Sequence, residues 1–233
     1  MIDCISVENM RLSDKLTIEN YIPGLELMHR AAKGVFWATD WVGPVAIVAG
    51  SGNNGGDGFA LACILNQKEI DCKVFTLSQR FSDDSDYYRA WAMALDVPVL
   101  PFEEGCLKGF ATVVDCLLGT GFQGPLRENY RLAIEAINAS EARVISVDIN
   151  SGMNGDTGEG ERIVRSDLTV TVGFVKQGLV TENAGRYMKR LVCADIGIRL
   201  AKTEKKLCAE GEYHPRGIPC PDWLDMNVMD VTF

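Results

Sequence analysis

The stretch AGSGNNGGDG, residues 49–58, follows the apolar run PVAIV (44–48) and is the most informative part of the chain. It contains five glycines and few bulky side chains, so its backbone N–H groups are accessible to a ligand. The helical segment FALACILNQK (59–68) comes directly after it. A buried strand, a glycine-rich turn and a helix in this order are typical of nucleotide-binding α/β proteins. A tight strand-to-helix turn without a ligand is the alternative.

The loop does not match either of the standard phosphate-binding patterns completely. Gly50, Gly52 and Gly55 fit G-x-G-x-x-G literally, but the next strand ends TLSQR (76–80), without the acid that holds a ribose. The lysine of a P-loop is also missing. Asp57 would repel a phosphate bound to the same donors. It would therefore either interact with the helix dipole, hold a ligand hydroxyl or orient the loop.

Apolar segments alternate with helical ones along the chain, which predicts a parallel sheet covered by helices on both faces. Helices are predicted at 6–21, 24–41, 59–68, 82–96 and 127–140, and strands at 44–50, 72–78, 97–100, 111–119, 143–149, 167–174 and 190–198. This pattern predicts an α/β fold whose loops meet in one crevice at the carboxyl ends of the strands.

Composition limits the functions that are open to this chain of 233 residues. A net charge of -9 argues against nucleic-acid binding, and no apolar segment is long enough for a bilayer, so no membrane partner is expected. The charged start and the eight scattered cysteines are typical of a cytoplasmic protein with reduced thiols. We expect one domain over residues 1–200 and an irregular, proline-containing arm over residues 201–233.

Three glycine-rich loops, at 51–58, 119–125 and 150–160, would converge in the crevice. Asp115 and Asp148 lie near the ends of apolar strands that precede two of these loops. A carboxylate there is costly unless it is paired, so each is either a structural acceptor or part of an ion or acid/base site. Asn54, Asp115 and Ser151 together would offer oxygen ligands suited to an alkali or alkaline-earth ion.

Lys176 follows a strand at the same edge of the predicted sheet, in TVGFVKQGLV. A lone lysine in such a place is usually solvated. A role in proton transfer is the alternative. The two histidines, His29 and His214, have no serine or cysteine nucleophile beside them. A triad hydrolase is therefore not expected.

Four ordered motifs resemble the NAD(P)HX epimerase family, the family of the YjeF N-terminal domain. They are AGSGNNGGDGFALA, VVDCLLGTGFQGP, VISVDINSGMNGDTG and VGFVKQGL, and MRLSDKLTIENYIPGLELMHRAA resembles the opening helices of that family. The resemblance covers about residues 5–200. It implies a three-layer α/β/α, Rossmann-like sandwich with a mostly parallel central sheet. It also implies interconversion of the R and S epimers of NADHX and NADPHX, the hydrated forms of NADH and NADPH.

The resemblance assigns roles to individual residues. A potassium ion would be bound by Asn54, Asp115 and Ser151, and Asp148 would contact the ligand at its reacting end. The other ligand contacts would be Asn53, Asn54, Gly55, Gly56, Asp57, Gly119, Thr120, Gly121, Phe122, Gln123, Gly124 and Pro125. Ser51 and Asn150 stand where the family has proline, and Asn150 is expected to loosen the turn before Ser151.

The chemistry of this substrate suits acid/base catalysis. C6 of NADHX carries a hydroxyl beside the ring nitrogen, which can expel it with help from an acid, and water can return to the other face with help from a base. Asp148 is the predicted proton shuttle and Lys176 a second candidate. A separate dehydratase would complete the repair, and a homodimer is left open. One alternative is a non-catalytic binding or scaffold module. The other is a dehydrogenase, and the absence of an acidic residue to bind the ribose argues against it.

Overall fold

The computed structural model describes residues 2–122, 124–203, 207–213 and 228–232. The helices are α1 (Val7–Asn20), α2 (Gly24–Ala38), α3 (Asn53–Gln67), α4 (Asp83–Ala94) and α5 (Glu128–Ala139). The strands are β1 (Ile2–Ile5), β2 (Val45–Ala49), β3 (Cys72–Thr76), β4 (Val99–Pro101), β5 (Thr112–Cys116), β6 (Arg143–Val147), β7 (Leu168–Val172), β8 (Val175–Lys176), β9 (Leu191–Ala194), β10 (Leu207–Tyr213) and β11 (Val228–Thr232).

The strands form one sheet in the order β4-β3-β2-β5-β6-β7-β9-β11-β10-β1-β8. All neighbouring pairs from β4 to β9 are parallel. The pairs from β9 to β1 are antiparallel, and β8 pairs in parallel with β1. The predicted α/β fold with a mostly parallel sheet is confirmed.

Strand β2 shows how the sheet is covered on both faces. Val45 and Ile47 pack in one buried cluster with residues of α2, α3 and α4, whereas Ala46 and Val48 pack in another with residues of α5. Successive side chains of a strand point to opposite faces, so a strand buried on both sides is mostly apolar. This arrangement is the three-layer α/β/α sandwich that the motifs implied.

Several predicted boundaries differ from the structure. Helix α3 begins at Asn53, so most of the predicted loop 51–58 is the first turns of a helix. Helix α2 ends at Ala38 instead of continuing to residue 41. Strand β6 ends at Val147, one residue before Asp148, and β1 and β8 were not predicted. Short strands give too few alternating positions for recognition from a sequence.

The segment 201–233 is not wholly irregular, and that prediction is wrong for two stretches. β10 and β11 lie in it, and β11 pairs with β9, so they extend the main sheet past residue 200. The unpaired edge of β9 supplies the backbone groups that these strands need, which no local pattern reveals. The proline-containing stretch 214–227 lies outside the described residues. Within the described chain, no helix has the length and apolar character needed to cross a membrane.

Candidate functional site

A cavity of about 1040 Å³ opens at the carboxyl ends of the parallel strands. Its walls come from helix α1, the start of α3, the segment after β5 and the residue after β6. Polar members of the lining include Asp14, Asn53, Asn54, Asp57, Thr120 and Asp148. The glycine-rich segments after β2 and β5 therefore converge with Asp148, as expected for an α/β crevice.

The N-terminus of α3 forms one wall of this cavity. Gly52 is the N-cap residue, and no side chain caps the helix. The first N–H groups of a helix lack partners within it, and the helix dipole favours negative charge there. Asn53 and Asn54 face the cavity at this helix end, so the site is suited to an anionic group of a ligand.

The glycines of this helix end serve close packing. A Cβ on Gly55 would lie 2.1 Å from the carbonyl oxygen of Gly50, and one on Gly50 would lie 1.9 Å from that of Leu117. A Cβ on Gly52 would meet no atom within 4 Å. Gly55 and Gly56 are buried behind the cavity wall and are absent from its lining.

The space available for an added Cβ predicts the outcome of two matched substitutions at glycines. Gly55→Ala forces apart two backbone segments and should lower the free energy of unfolding by about 1–3 kcal/mol or more, by analogy with overpacking in cores. Gly185→Ala, at an exposed position where an added Cβ also meets no atom within 4 Å, should change it by less than about 0.5 kcal/mol. Urea unfolding of both variants measures this. Equal losses in the two variants would contradict the packing explanation.

Asp115 is fully buried near the end of β5, and its carboxylate accepts several hydrogen bonds. It accepts from the Ser151 N–H at 2.9 Å, from the Ser151 hydroxyl at 2.5 Å and from the Ser146 hydroxyl at 2.9 Å. Burial raises the pKa of the Asp115 carboxyl, and these donors act in the opposite direction. The structure therefore brings two of the predicted ion ligands, Asp115 and Ser151, into direct contact.

Asn54, the third predicted ion ligand, is buried and has unpaired polar atoms. Neither its Oδ1 nor its Nδ2 has a hydrogen-bond partner among the described residues. A Cβ on Gly119 would lie 3.3 Å from the Asn54 Cβ, and the adjacent Leu118 N–H donates to the Ser151 hydroxyl. Because buried amides are rarely left without partners, the orphaned oxygen of Asn54 fits a ligand or ion at this position.

Asp148 lies just past the end of β6 and has a left-handed backbone, with φ of 68°. Strand alternation does not set the direction of its side chain, because β6 has already ended at Val147. The left-handed turn places the carboxylate in the cavity wall. Such backbone is costly for a residue other than glycine and is concentrated at functional sites.

Lys176 is completely buried, in contrast to the solvated lysine that is usual at such a position. Its ammonium donates to Asp148 Oδ1 at 2.5 Å, to the Thr171 hydroxyl at 2.9 Å and to the Val172 carbonyl at 2.9 Å. All three N–H donors are therefore used, and Lys176 is absent from the cavity lining. Lys176 fixes Asp148 and neutralises its charge.

The second predicted ligand segment is divided between two cavities. Gly119, Thr120, Gly121 and Phe122 line the main cavity, and the Thr120 N–H donates to Asp148 Oδ2 at 3.4 Å. Gly124 and Pro125 line a neighbouring cavity of about 640 Å³, which Phe122 also borders. Gln123 lies outside the described residues.

Comparison with known proteins places this architecture in a family. The family model described as YjeF-related protein N-terminus matches residues 24–178. The chain belongs to this family. It is 35% identical over 199 residues to the NAD(P)H-hydrate epimerase of Limosilactobacillus fermentum, covering 82% of this chain and 95% of that protein. It is also 35% identical to the NAD(P)H-hydrate epimerase of Rhodopirellula baltica, with 84% and 85% of the two chains covered.

Longer members of the YjeF N-terminal family are similar as well. The bifunctional NAD(P)H-hydrate repair enzyme Nnr of Coxiella burnetii is 34% identical, and the match covers 81% of this chain but 40% of that enzyme. A crystal structure of the yeast protein YNL200c superposes with a TM-score of 0.73 at 20% identity, covering 89% and 98% of the two chains. The latter similarity supports the fold.

Asn150 was expected to loosen the turn before Ser151, but its side chain holds this turn in place. Its buried amide donates to the carbonyl oxygens of Val164 and Tyr187 and to the Ser166 hydroxyl, and its oxygen accepts from Thr169 at 2.7 Å. Proline restrains a turn through its ring, whereas Asn150 does so through side-chain hydrogen bonds. Ser151, next in the chain, is held against Asp115 through its hydroxyl.

Sequence reasoning missed Asp14, which lines the cavity from helix α1. Met10, Asp14 and Ile18 are four residues apart, lie on one face of the helix and all border the cavity. The signal was an acid on the apolar face of a predicted helix. Burial raises the pKa of Asp14 to about 6, with the Lys176 ammonium lowering it and the Asp148 carboxylate raising it.

Asp57 lies in the second turn of α3, so it does not interact with the helix dipole as a first-turn acid would. It borders the cavity, and desolvation raises the pKa of its carboxyl well above the usual range. The nearby carboxylates of Asp148 and Asp14 raise the pKa further. These effects favour the protonated form of the Asp57 carboxyl, which is a hydrogen-bond donor.

Proposed function

We propose that the protein is an NAD(P)H-hydrate epimerase that interconverts the R and S epimers of NADHX and NADPHX. The observation that carries the proposal is the cavity in which the uncapped N-terminus of α3 meets the Asp148 carboxylate and its buried partner Lys176. The helix end suits the anionic part of a dinucleotide, and the carboxylate suits proton transfer. The epimerases named above, which match most of this chain, support the same activity.

The reaction that fits these residues exchanges the C6 hydroxyl of the hydrated nicotinamide. An acid protonates the hydroxyl, the C6–O bond breaks, and the lone pair of the ring nitrogen forms a C=N bond as water leaves. Water then adds to the opposite face of C6 while a base takes its proton, so the nucleotide is neither oxidised nor reduced. Asp148 is the proposed proton shuttle, and Lys176 orients it without donating to the ligand.

A potassium ion is proposed as the resident cation of the site. The oxygens of Asn54, Asp115 and Ser151 are hard donors of the kind that an alkali ion accepts, and the orphaned Asn54 Oδ1 lacks another partner among the described residues. The ion would supply fixed positive charge for ligand binding. Asn53, Asn54, Asp57 and the segment Gly119–Phe122 are the proposed ligand contacts, because they border the same cavity.

Potassium binding predicts a specific stabilisation of the folded protein. At an ion concentration ten times its Kd, a site present only in the folded state adds about 1.4 kcal/mol. Replacing tetramethylammonium chloride by potassium chloride at equal ionic strength should therefore raise the melting temperature. Asn54→Ala should abolish the difference, while Asn66→Ala, on the same helix outside the cavity, should retain it. An equal response of both variants would argue for a general salt effect.

The proposed activity is tested by mixing the purified protein with R-NADHX, an S-specific dehydratase and ATP, and following the recovery of NADH. Recovery should be faster than spontaneous epimerisation allows. In ¹⁸O-labelled water the remaining NADHX should gain label at C6, because the hydroxyl leaves and solvent returns. A rate no faster than the spontaneous one would favour the alternative, a non-catalytic binding or scaffold module of the same fold.

The setting of this activity is also a proposal. The bifunctional relatives join an epimerase-like segment to further sequence in one chain, and the present chain matches 40% of one such enzyme. We infer functional coupling to a separate dehydratase, and a cytoplasmic location where both reduced nucleotides are used. A homodimer is a further hypothesis, which sedimentation of the purified protein would test.

A further inference from the structure

Helix α1 brings a third carboxyl group to the reacting end of the cavity, besides those of Asp57 and Asp148. Asp14 lies on the cavity face of this helix, between Met10 and Ile18. It makes no hydrogen bond or ion pair with any residue that the structure describes. Its charge is close enough to Lys176, Asp148 and Asp57 to alter electrostatic energies. The side chain is therefore near the proposed shuttle and free to meet a ligand.

The other charged groups at this end of the cavity already have hydrogen-bond partners or other roles. Lys176 has used all three of its N–H donors, and Asp148 accepts from Lys176 on Oδ1 and from Thr120 on Oδ2. Burial also favours the protonated form of Asp57, which makes its carboxyl a hydrogen-bond donor. Asp14 is thus the carboxyl group at this end that has no hydrogen-bond partner among the described residues, and its pKa, raised to about 6, suits proton transfer near neutral pH.

Epimerisation at C6 needs proton transfer on both faces of the ring. In one direction the group on the first face protonates the departing hydroxyl, and the group on the second face takes a proton from the incoming water. In the reverse direction the two groups exchange roles. Each must both give and take a proton, and together they must carry one proton at the start of either direction.

We infer that Asp14 is the second proton-transfer group of the reaction and acts on the face of the nicotinamide ring opposite Asp148. The inference rests on the proposed epimerase function. Asp14 approaches from α1, on one wall of the cavity, and Asp148 from the end of β6, on another. A ring bound between them has one carboxyl group on each face. Asp14 gives its proton to the hydroxyl that leaves on its face, and Asp148 takes one from the entering water.

The surroundings of Asp14 support this role. Burial raises its pKa to about 6, and Lys176 and Asp148 act in opposite directions on it. Asp57 from α3 and Glu8 and Arg11 from its own helix also face the cavity. Since the active form holds one proton on the pair, kcat/KM should fall as pH rises above about 6, where Asp14 loses that proton.

The test compares Asp14→Asn with Glu19→Gln, an exposed acid on the same helix that pairs with Lys15 outside the cavity. With the spontaneous rate subtracted, Asp14→Asn should lower kcat by about 100-fold or more, the usual contribution of one acid/base group. Glu19→Gln should match the wild type. Calorimetric binding of NADH, used as an unreactive probe, should be retained in both variants. The fall of kcat/KM above pH 6 should be absent from the residual activity of Asp14→Asn.

The outcomes separate the two proposals. An active wild type with a kcat loss below about tenfold in Asp14→Asn overturns this inference and leaves the epimerase function standing. A variant that loses NADH binding but keeps kcat shows a binding residue instead, and also overturns it. If Asp14→Asn does not fold, Asp14→Ser replaces it, and an unchanged pH profile in that variant counts against the inference. An inactive wild type overturns both proposals.

Discussion

Asp148→Asn should lower the epimerase rate by about 100- to 10,000-fold, the range expected for removing one acid/base group. Asparagine keeps the size of aspartate, and its oxygen can still accept from Lys176, which donates to Asp148 Oδ1 in the structure. It cannot take up a proton from water. The ligand contacts at the start of α3 are untouched, so NADH binding should persist. The coupled assay with the dehydratase measures the rate, and calorimetry measures binding.

The matched control for this change is Asp195→Asn. Asp195 is exposed, accepts a hydrogen bond from the Gly197 N–H at 2.9 Å and does not border the cavity. The Asp195→Asn variant should have the same epimerase rate as the wild type. If Asp148→Asn folds and loses less than about tenfold in rate, Asp148 only positions the ligand. The proton would then pass through Asp14 or Asp57, and the mechanism proposed above would need to be redrawn.

Lys176→Met should cost about 3–5 kcal/mol of folding stability, the usual effect of removing one partner from a buried ion pair. Methionine fills most of the space of the lysine, but it leaves the Asp148 carboxylate without its counter-charge and without one of its two anchors. The Thr171 hydroxyl and the Val172 carbonyl also lose a donor. Denaturant unfolding measures the loss, and the epimerase rate should fall as Asp148 loses its fixed orientation.

Two further variants isolate the electrostatic part of this effect. Lys189→Met removes a lysine that is 80% exposed and pairs with Asp167 at 2.6 Å, and it should cost less than about 1 kcal/mol. The double variant Lys176→Met/Asp148→Asn removes both charges together, so it should be more stable than Lys176→Met alone. A double variant whose loss equals the sum of the two single losses would show that the groups act independently.

The fold was largely predictable because its strands are buried on both faces. Uninterrupted apolar runs such as that around β2 can only belong to a covered sheet, and glycine-rich segments after several strands located the crevice. The terminal additions were not predictable. β1 pairs with β8 and β10 at positions more than 170 residues away in the chain. Its four residues are too few to show a hydrophobic periodicity.

The individual site residues were predictable to different degrees. Asp148 was indicated by its position at the end of an apolar strand, but its left-handed backbone was not, since that conformation depends on tertiary packing. Lys176 was expected in solvent, because no local pattern shows that Asp148 neutralises its charge. Asn150 was interpreted by analogy with proline, and its partners in residues 164–187 are visible only in three dimensions.

The pairing of β1 has a consequence for the order in which the protein is built by the ribosome. β1 is synthesised before its neighbours β8 and β10, whose paired positions follow it by more than 170 residues. Ile5 pairs directly with Lys176, and α1 starts two residues after Ile5. Helix α1 therefore cannot be anchored by this pairing until β8 has been synthesised. Closing so long a segment of chain is entropically slow, so we expect this wall of the cavity to form last.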